Sequence, residues 1–234
     1  MDFEEIDRRD TPMGVITVRR RHDPGLLVDV YEVKLGDEFL MSSLFTASEI
    51  ALAHLGLDAV EGDRLDVIVG GLGLGYTAHA VLEDPRVRSL RVVEALDAVI
   101  AWHADALLPD AAALTGDPRC ELVEGDFFAL VAAGAPFAAG APECFHAVLV
   151  DIDHSPRHTL HPSHEAFYTP QGLGKVAARL HPGGVFGLWS DDPPDDAFTA
   201  AAEQVFSSCE AHVVSFPNPY TGGESACTVY VARR

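Results

Sequence analysis

Short apolar runs alternate with amphipathic stretches along most of the chain, and the alternation sets in at residue 66. Residues 66–70, 90–94, 121–123, 146–151 and 184–189 read as short buried strands. Between and after them, residues 76–82, 97–107, 127–133, 164–180 and 195–207 carry helical spacing. Strands that are apolar on both faces and alternate with helices predict a parallel sheet covered on both sides. Residues 211–216 and 227–232 are two further strands with a Gly/Pro/Asn connection and no helix between them, so they should form an antiparallel edge. The expectation is an α/β fold: a doubly wound, seven-stranded sheet with ligands held at the carboxyl ends of its strands.

The first 60 residues differ. Residues 15–21 and 27–34 are β-rich runs separated by His22, Asp23, Pro24 and Gly25, a turn composition. Gly36, Asp37 and Glu38 mark a second turn before Phe39, Leu40 and Met41. Thr46 stands where it can cap a helix whose apolar positions are Ile50, Leu52, Ala53, Leu55 and Leu57. Residues 1–60 are therefore expected to form a small β-hairpin and helix lid, with residues 61–234 as the main domain.

Charge narrows the partners. Sixteen Lys and Arg against 36 Asp and Glu give a formal charge of −20. Such a field repels a phosphate backbone and attracts cations, so with a single basic cluster, Arg19 to Arg21, flanked by acids, nucleic acid is disfavoured and a small cationic or amine-bearing molecule is the better partner. The rival reading is that the acidity serves only solubility. No run approaches the ~18 apolar residues of a membrane span, and residues 1–10 carry no secretory pattern. Cys120, Cys144, Cys209 and Cys227 are widely spaced, without a CxxC pair, which suits a reducing cytoplasm.

The chemistry concentrates after the strands. Gly70, Gly71, Gly73 and Gly75 follow the first buried strand and precede a helix. A dinucleotide fingerprint needs its third glycine where Tyr76 stands. GxGxG is instead the spacing of S-adenosylmethionine sites. Glu94 ends the second strand, 21 residues beyond Gly73, where a carboxylate can accept both hydroxyls of a ribose. Asp126 and Phe127 follow the third strand. The acid there can accept an adenine amino group while the aromatic ring covers the base, or Asp126 can cap the next helix. Asp151, Asp153 and His154 follow the fourth strand, where a carboxylate can align an ammonium group and take its proton, with Asp153 free to point elsewhere.

In their order, Gly70 to Gly75, Glu94, Asp126, Asp151 and then Phe167 and Tyr168 resemble the spermidine synthase (polyamine aminopropyltransferase) family. The resemblance implies a Rossmann-like class I S-adenosylmethionine-dependent methyltransferase fold behind an N-terminal β-domain, and a homodimer. It implies that Glu94 binds ribose, Asp126 binds adenine and Asp151 is the catalytic acid/base. Three departures stand out. The family's glycine motif, GGGDGG, has an acid that holds the free amine of decarboxylated S-adenosylmethionine, and Gly73 takes that place. His154 replaces the second acid of the family's DxxD pair. Ser48, Glu49 and Ile50 stand where the family has Tyr-His-Glu. An acid at position 73 would repel the carboxylate of intact S-adenosylmethionine, whereas glycine leaves backbone N–H groups to receive it. The expected activity is therefore methyl transfer from S-adenosylmethionine to a small amine. The alternatives are aminopropyl transfer from the decarboxylated donor and a non-catalytic nucleoside-binding module.

Other residues carry competing readings. His154, His158, His161 and His164 could join Asp151 and Asp153 around a metal, but Pro156 and Pro162 break their register, so no metal site is expected and the segment reads as a loop lining the acceptor pocket. Asp195 and Asp196 suit a helix N-terminus, while Asp191 and Asp192 lie close enough to the strand end to meet a cation. Trp102 and His103 read as packing and surface. Tyr76 either stacks near the donor or covers a helix start. Residues 218–223 form a hairpin connection that could reach over the pocket.

Overall fold

The computed structural model describes residues 3–234. Strands β1 (Phe3–Thr11), β2 (Gly14–Asp23), β3 (Val28–Leu35) and β4 (Glu38–Ser42) form an antiparallel meander. Ile16 and Val18 alternate inward from β2 at 0% exposure, while Arg19 and Arg21 pair with Glu32 on β3. The first strand is an addition to the expected hairpin. Its sequence is almost wholly polar because it lies at the sheet edge, where its acids meet partners: Glu4 pairs with Arg20, and Asp7 accepts the Trp102 indole N–H at 2.7 Å.

Helix α1 (Ala47–Asp58) begins at Thr46 as expected, although the Thr46 hydroxyl makes no capping bond. Its Leu52, Ala53 and Leu57 are buried against α2 (Tyr76–Glu83) and strands of the large sheet. Because α1 lies in the layer over that sheet, we propose the junction between lid and main domain at residues 43–46 rather than near residue 60.

The large sheet has seven strands: β5 (Leu65–Gly70), β6 (Val87–Glu94), β7 (Cys120–Glu124), β8 (Phe145–Val150), β9 (Leu180–Ser190), β10 (Ser208–Asn218) and β11 (Gly223–Arg233), in the order β10-β11-β9-β8-β5-β6-β7. β5 to β9 run parallel, and β11 alone is reversed, inserted between β9 and β10. The doubly wound expectation and the antiparallel edge both hold. β5 and β8 are neighbours from which the chain leaves in opposite directions, and this order reversal opens a crevice at their carboxyl ends. One face packs an aliphatic core around Leu52, Leu90 and Trp102; the other packs an aromatic core around Phe127, Phe145, Phe186 and Phe206.

Three expected helices are shorter. Residues 97–107 give α3 (Asp97–Ala104), followed by a separate α4 (Ala111–Gly116). Residues 164–180 do not form one helix. A 3-10 turn over Pro162–Tyr168 gives way to α6 (Pro170–Ala177), after α5 (Phe127–Ala133), and Leu180 already belongs to β9. Pro170 has no N–H and disfavours helical geometry at Thr169, whose hydroxyl instead caps the Gly172 N–H. Helix α7 covers Asp196–Ala202, capped by Asp195.

Candidate active site

At the carboxyl ends of β5, β6 and β8 lies a cavity of about 360 Å³, roofed by the small sheet. Gly71, Gly73 and Gly75 all adopt positive φ, at +94°, +48° and +90°. The turn is tight because two backbones meet there. The Asp151 N–H donates to the Gly70 carbonyl at 2.8 Å, and a Cβ on Gly71 would overlap the Asp151 carbonyl oxygen. Above Gly73 sits the Met41 thioether of β4, which accepts the Leu74 N–H at 3.1 Å.

Glu94 projects from the end of β6 into this turn. Its two oxygens accept the Leu72 and Leu96 N–H groups, each at 2.9 Å. Burial pushes its carboxyl upward against the opposing pull of these amides. Each oxygen keeps a lone pair for a further donor. The expectation that backbone N–H groups of the turn stand free is corrected in part: the Leu72 and Leu74 amides are engaged by Glu94 and Met41. His103, expected at the surface, is 0% exposed and places Nε2 2.9 Å from the Gly73 carbonyl.

Asp126 caps α5, accepting the Ala129 N–H at 3.0 Å, and also lines the cavity. Phe127 lines the cavity from within the aromatic core. Its ring is 2% exposed, stacks on Phe137 at 5.6 Å and fills the space beneath Gly70. Phe128, its neighbour, lies 4.1 Å from the His164 ring at the cavity wall.

After β8 the three expected residues separate. Asp151 faces the cavity and accepts the Thr77 hydroxyl at 2.7 Å. Asp153 turns away: it is 1% exposed and accepts the Leu160 N–H at 2.7 Å, bonds His164 Nδ1 at 2.8 Å and accepts the Tyr168 hydroxyl at 2.7 Å. It is the anchor of the loop that follows. His154 lines the cavity and reaches Glu38 of β4 at 3.1 Å, tying the lid to the main sheet. Among the described residues, no group of three or more metal-type side chains converges. Asp191 joins the cavity wall, and Asp195 instead pairs with Arg157. The hairpin between β10 and β11 does reach the lid: the Tyr220 hydroxyl bonds both Asp23, at 2.8 Å, and Arg21.

Glu49 entered the sequence reading only as one of the departures from the family's Tyr-His-Glu stretch, not as a site residue. It is 5% exposed in the first turn of α1, yet it lines the cavity beside Asp151. Its signal was legible, since Leu52 and Ala53 at i+3 and i+4 place the acid on the buried helix face. Burial and the Asp151 charge push Glu49 up to about 7, and burial raises Asp151 to about 6 against the Thr77 hydroxyl. The described cavity lining thus holds five carboxylates (Glu49, Glu94, Asp126, Asp151 and Asp191) and no Lys or Arg.

Comparison with known proteins matches this architecture. The chain is 32% identical over 135 residues to putrescine N-methyltransferase 2 of Nicotiana tabacum, covering 57% of the chain and 34% of that protein. It is 27% identical over 171 residues to polyamine aminopropyltransferase 2 of Pseudomonas aeruginosa, covering 65% of the chain and 43% of that protein. The chain therefore spans about a third of the length of the plant relative it matches. No family model matches. Spermidine synthase from Thermotoga maritima superposes over 98% of the chain and 72% of that structure, with a TM-score of 0.74 at 18% identity, a likeness of fold. The chain has the Rossmann-like fold of the class I methyltransferases. Its lid and sheet superpose on those of spermidine synthase, and its sequence is similar to a putrescine N-methyltransferase and to a polyamine aminopropyltransferase.

Proposed function

We propose that this chain transfers a methyl group from S-adenosylmethionine to a small amine. The observation that carries the reading is the cavity itself: five carboxylates and no described Lys or Arg, at the order reversal of a doubly wound sheet. Both reactants would be cations, a sulfonium and an ammonium, and such a wall attracts both.

The residues present fit the nucleoside part of the donor. Glu94, already polarised by two amides, has lone pairs for ribose hydroxyls, and Asp126 stands at the neighbouring strand end for an adenine amine. Gly71 and Gly75 keep side chains out of the turn. When bound, the donor supplies an electrophilic carbon on a positively charged sulfur. The chain's own part is to orient the acceptor and remove a proton. Asp151 is placed for both, fixed by Thr77 on one oxygen and facing the cavity. Most of the acceleration in such a transfer comes from positioning. Asp153 has no place in this chemistry, and His154 contributes to the cavity wall.

Aminopropyl transfer is the second reading, favoured by the absence of a described basic side chain to receive a donor carboxylate and by the likeness to a polyamine aminopropyltransferase. Titration calorimetry with S-adenosylmethionine and its decarboxylated form, followed by turnover on an amine panel, separates the two. Tighter binding of the decarboxylated donor with aminopropylated product overturns methyl transfer, and binding without any turnover favours a nucleoside-binding module. A homodimer in the cytoplasm belongs to the same proposal, and sedimentation of the purified chain tests the dimer.

A further inference from the structure

The geometry points to Glu49 as a second catalytic residue, the one that takes the acceptor's proton while Asp151 stays ionised and holds the nitrogen. The inference rests on the amine-transfer reading above and divides between two acids what that reading gives to Asp151 alone.

Glu49 is a buried acid without a cationic partner. Among the described residues, the one side chain that bonds it is Ser48, whose hydroxyl donates to Oε2 at 2.8 Å. The Ser48 oxygen in turn accepts the Trp189 indole N–H at 2.9 Å, so its proton is committed toward Glu49. This relay from β9 fixes one oxygen of the carboxyl and leaves Oε1 for the cavity. An unpaired buried carboxylate is costly, and folds rarely keep one without use. Asp151 is built differently. The Thr77 hydroxyl donates to it at 2.7 Å and stabilises its anion, while the same oxygen lies 3.4 Å from the Glu49 carbonyl, so one threonine ties both acids together.

The groups facing Glu49 make it the more basic of the two. Asp151 after β8 and Asp191 after β9 both repel its charge, and Tyr76 of α2 and Cys227 of β11 face it as neutral groups. Two carboxyls in one pocket titrate as a pair, and an ammonium bound between them favours the form in which Glu49 is ionised and able to take a proton. An alkylammonium, with a pKa of about 10 in water, must give up a proton before its nitrogen can attack. In the step assigned here, the ammonium proton passes to Glu49 and the nitrogen lone pair forms the N–C bond. The S–C bond breaks with its electrons going to sulfur, and the alkylated nitrogen leaves with its positive charge against Asp151.

The test loads the protein with S-adenosylhomocysteine and titrates putrescine as the probe amine. Calorimetry at pH 6.5 in two buffers of different ionisation enthalpy gives the protons exchanged per amine bound. Wild type should exchange protons in an amount that Glu49→Gln reduces at least twofold, with putrescine affinity held within about tenfold. Asp151→Asn should weaken putrescine more than tenfold. Glu49→Gln should also lower kcat by about 100-fold or more, the usual scale for a lost general base, with S-adenosylhomocysteine affinity unchanged. Ser48→Ala keeps the carboxyl but removes its donor, and should move the acid limb of the rate profile, set by the base, to higher pH; it serves if the glutamine variant does not fold. Unchanged proton exchange and kcat within threefold of wild type in Glu49→Gln overturn the assignment. Failure of wild type to bind S-adenosylhomocysteine is a different result, which removes the transferase reading and the assignment with it.

Discussion

Gly71→Ala probes the contact on which the site is built. At φ +94° any L residue is strained, by about 1–2 kcal/mol. The added Cβ would also overlap the Asp151 carbonyl oxygen and lie 3.1 Å from Ile152 Cγ1. That oxygen is backbone, just past the end of a largely buried strand, and it cannot swing aside as a side chain can. Overpacking of this kind costs about 1–3 kcal/mol. Together the two effects remove about 2–5 kcal/mol, which for a chain of this size lowers Tm by roughly 4–20 °C. Gly134→Ala supplies the control: φ there is +63° and no atom lies within 4 Å of its added Cβ, so only the backbone strain applies. Differential scanning calorimetry should show Gly71→Ala melting clearly below Gly134→Ala. Affinity for S-adenosylhomocysteine should drop at least tenfold in the first variant and stay unchanged in the second. Equal melting of the two, or unaltered ligand binding by Gly71→Ala, refutes the close packing of the glycine turn on Asp151.

Asp153→Asn should cost about 2–4 kcal/mol in urea denaturation, because it weakens three buried bonds to a carboxylate, yet leave S-adenosylhomocysteine affinity within threefold; a selective loss of kcat at normal stability would return Asp153 to the catalytic set. Glu49 and Asp151 are raised from 4.5 and 3.8 to about 7 and 6, so the fold favours their protonated forms. The stability they contribute is complete below about pH 4 and fades as pH climbs toward 7. Urea midpoints of Asp151→Asn should therefore gain on wild type across that window, and a gap independent of pH speaks against the buried pair. Gly73→Asp directs a side chain into the space of the Met41 thioether. Donor affinity should fall at least fivefold by calorimetry and recover when Met41→Ala is added; equal binding by the single and double variants contradicts that contact.

Much of the main sheet was legible because its signals are local. Five apolar runs, each bounded by turn residues, marked the parallel strands, and the glycines, Glu94 and Asp126 could be placed by their position after them. What stayed hidden depends on distant partners. β1 reads as a polar tail until Arg20 and Trp102 are seen to receive its acids. Phe127 and Phe128 are indistinguishable in sequence, and both are buried and line the cavity, yet the first stacks on Phe137 and the second lies against His164. Asp151 and Asp153 sit two residues apart in one acidic motif, but the loop after the strand turns the second toward Tyr168. Glu49 enters the site from another layer of the fold, carried there by α1 rather than by a strand end.

The central claim is that the acidic crevice holds an adenosyl sulfur compound. Titration calorimetry of S-adenosylhomocysteine into wild type and Glu94→Ala tests it most directly. The account predicts one ligand per chain in wild type and at least tenfold weaker binding in the variant, through lost ribose contacts and a loosened glycine turn. No binding by wild type, or the same affinity in both proteins, contradicts it.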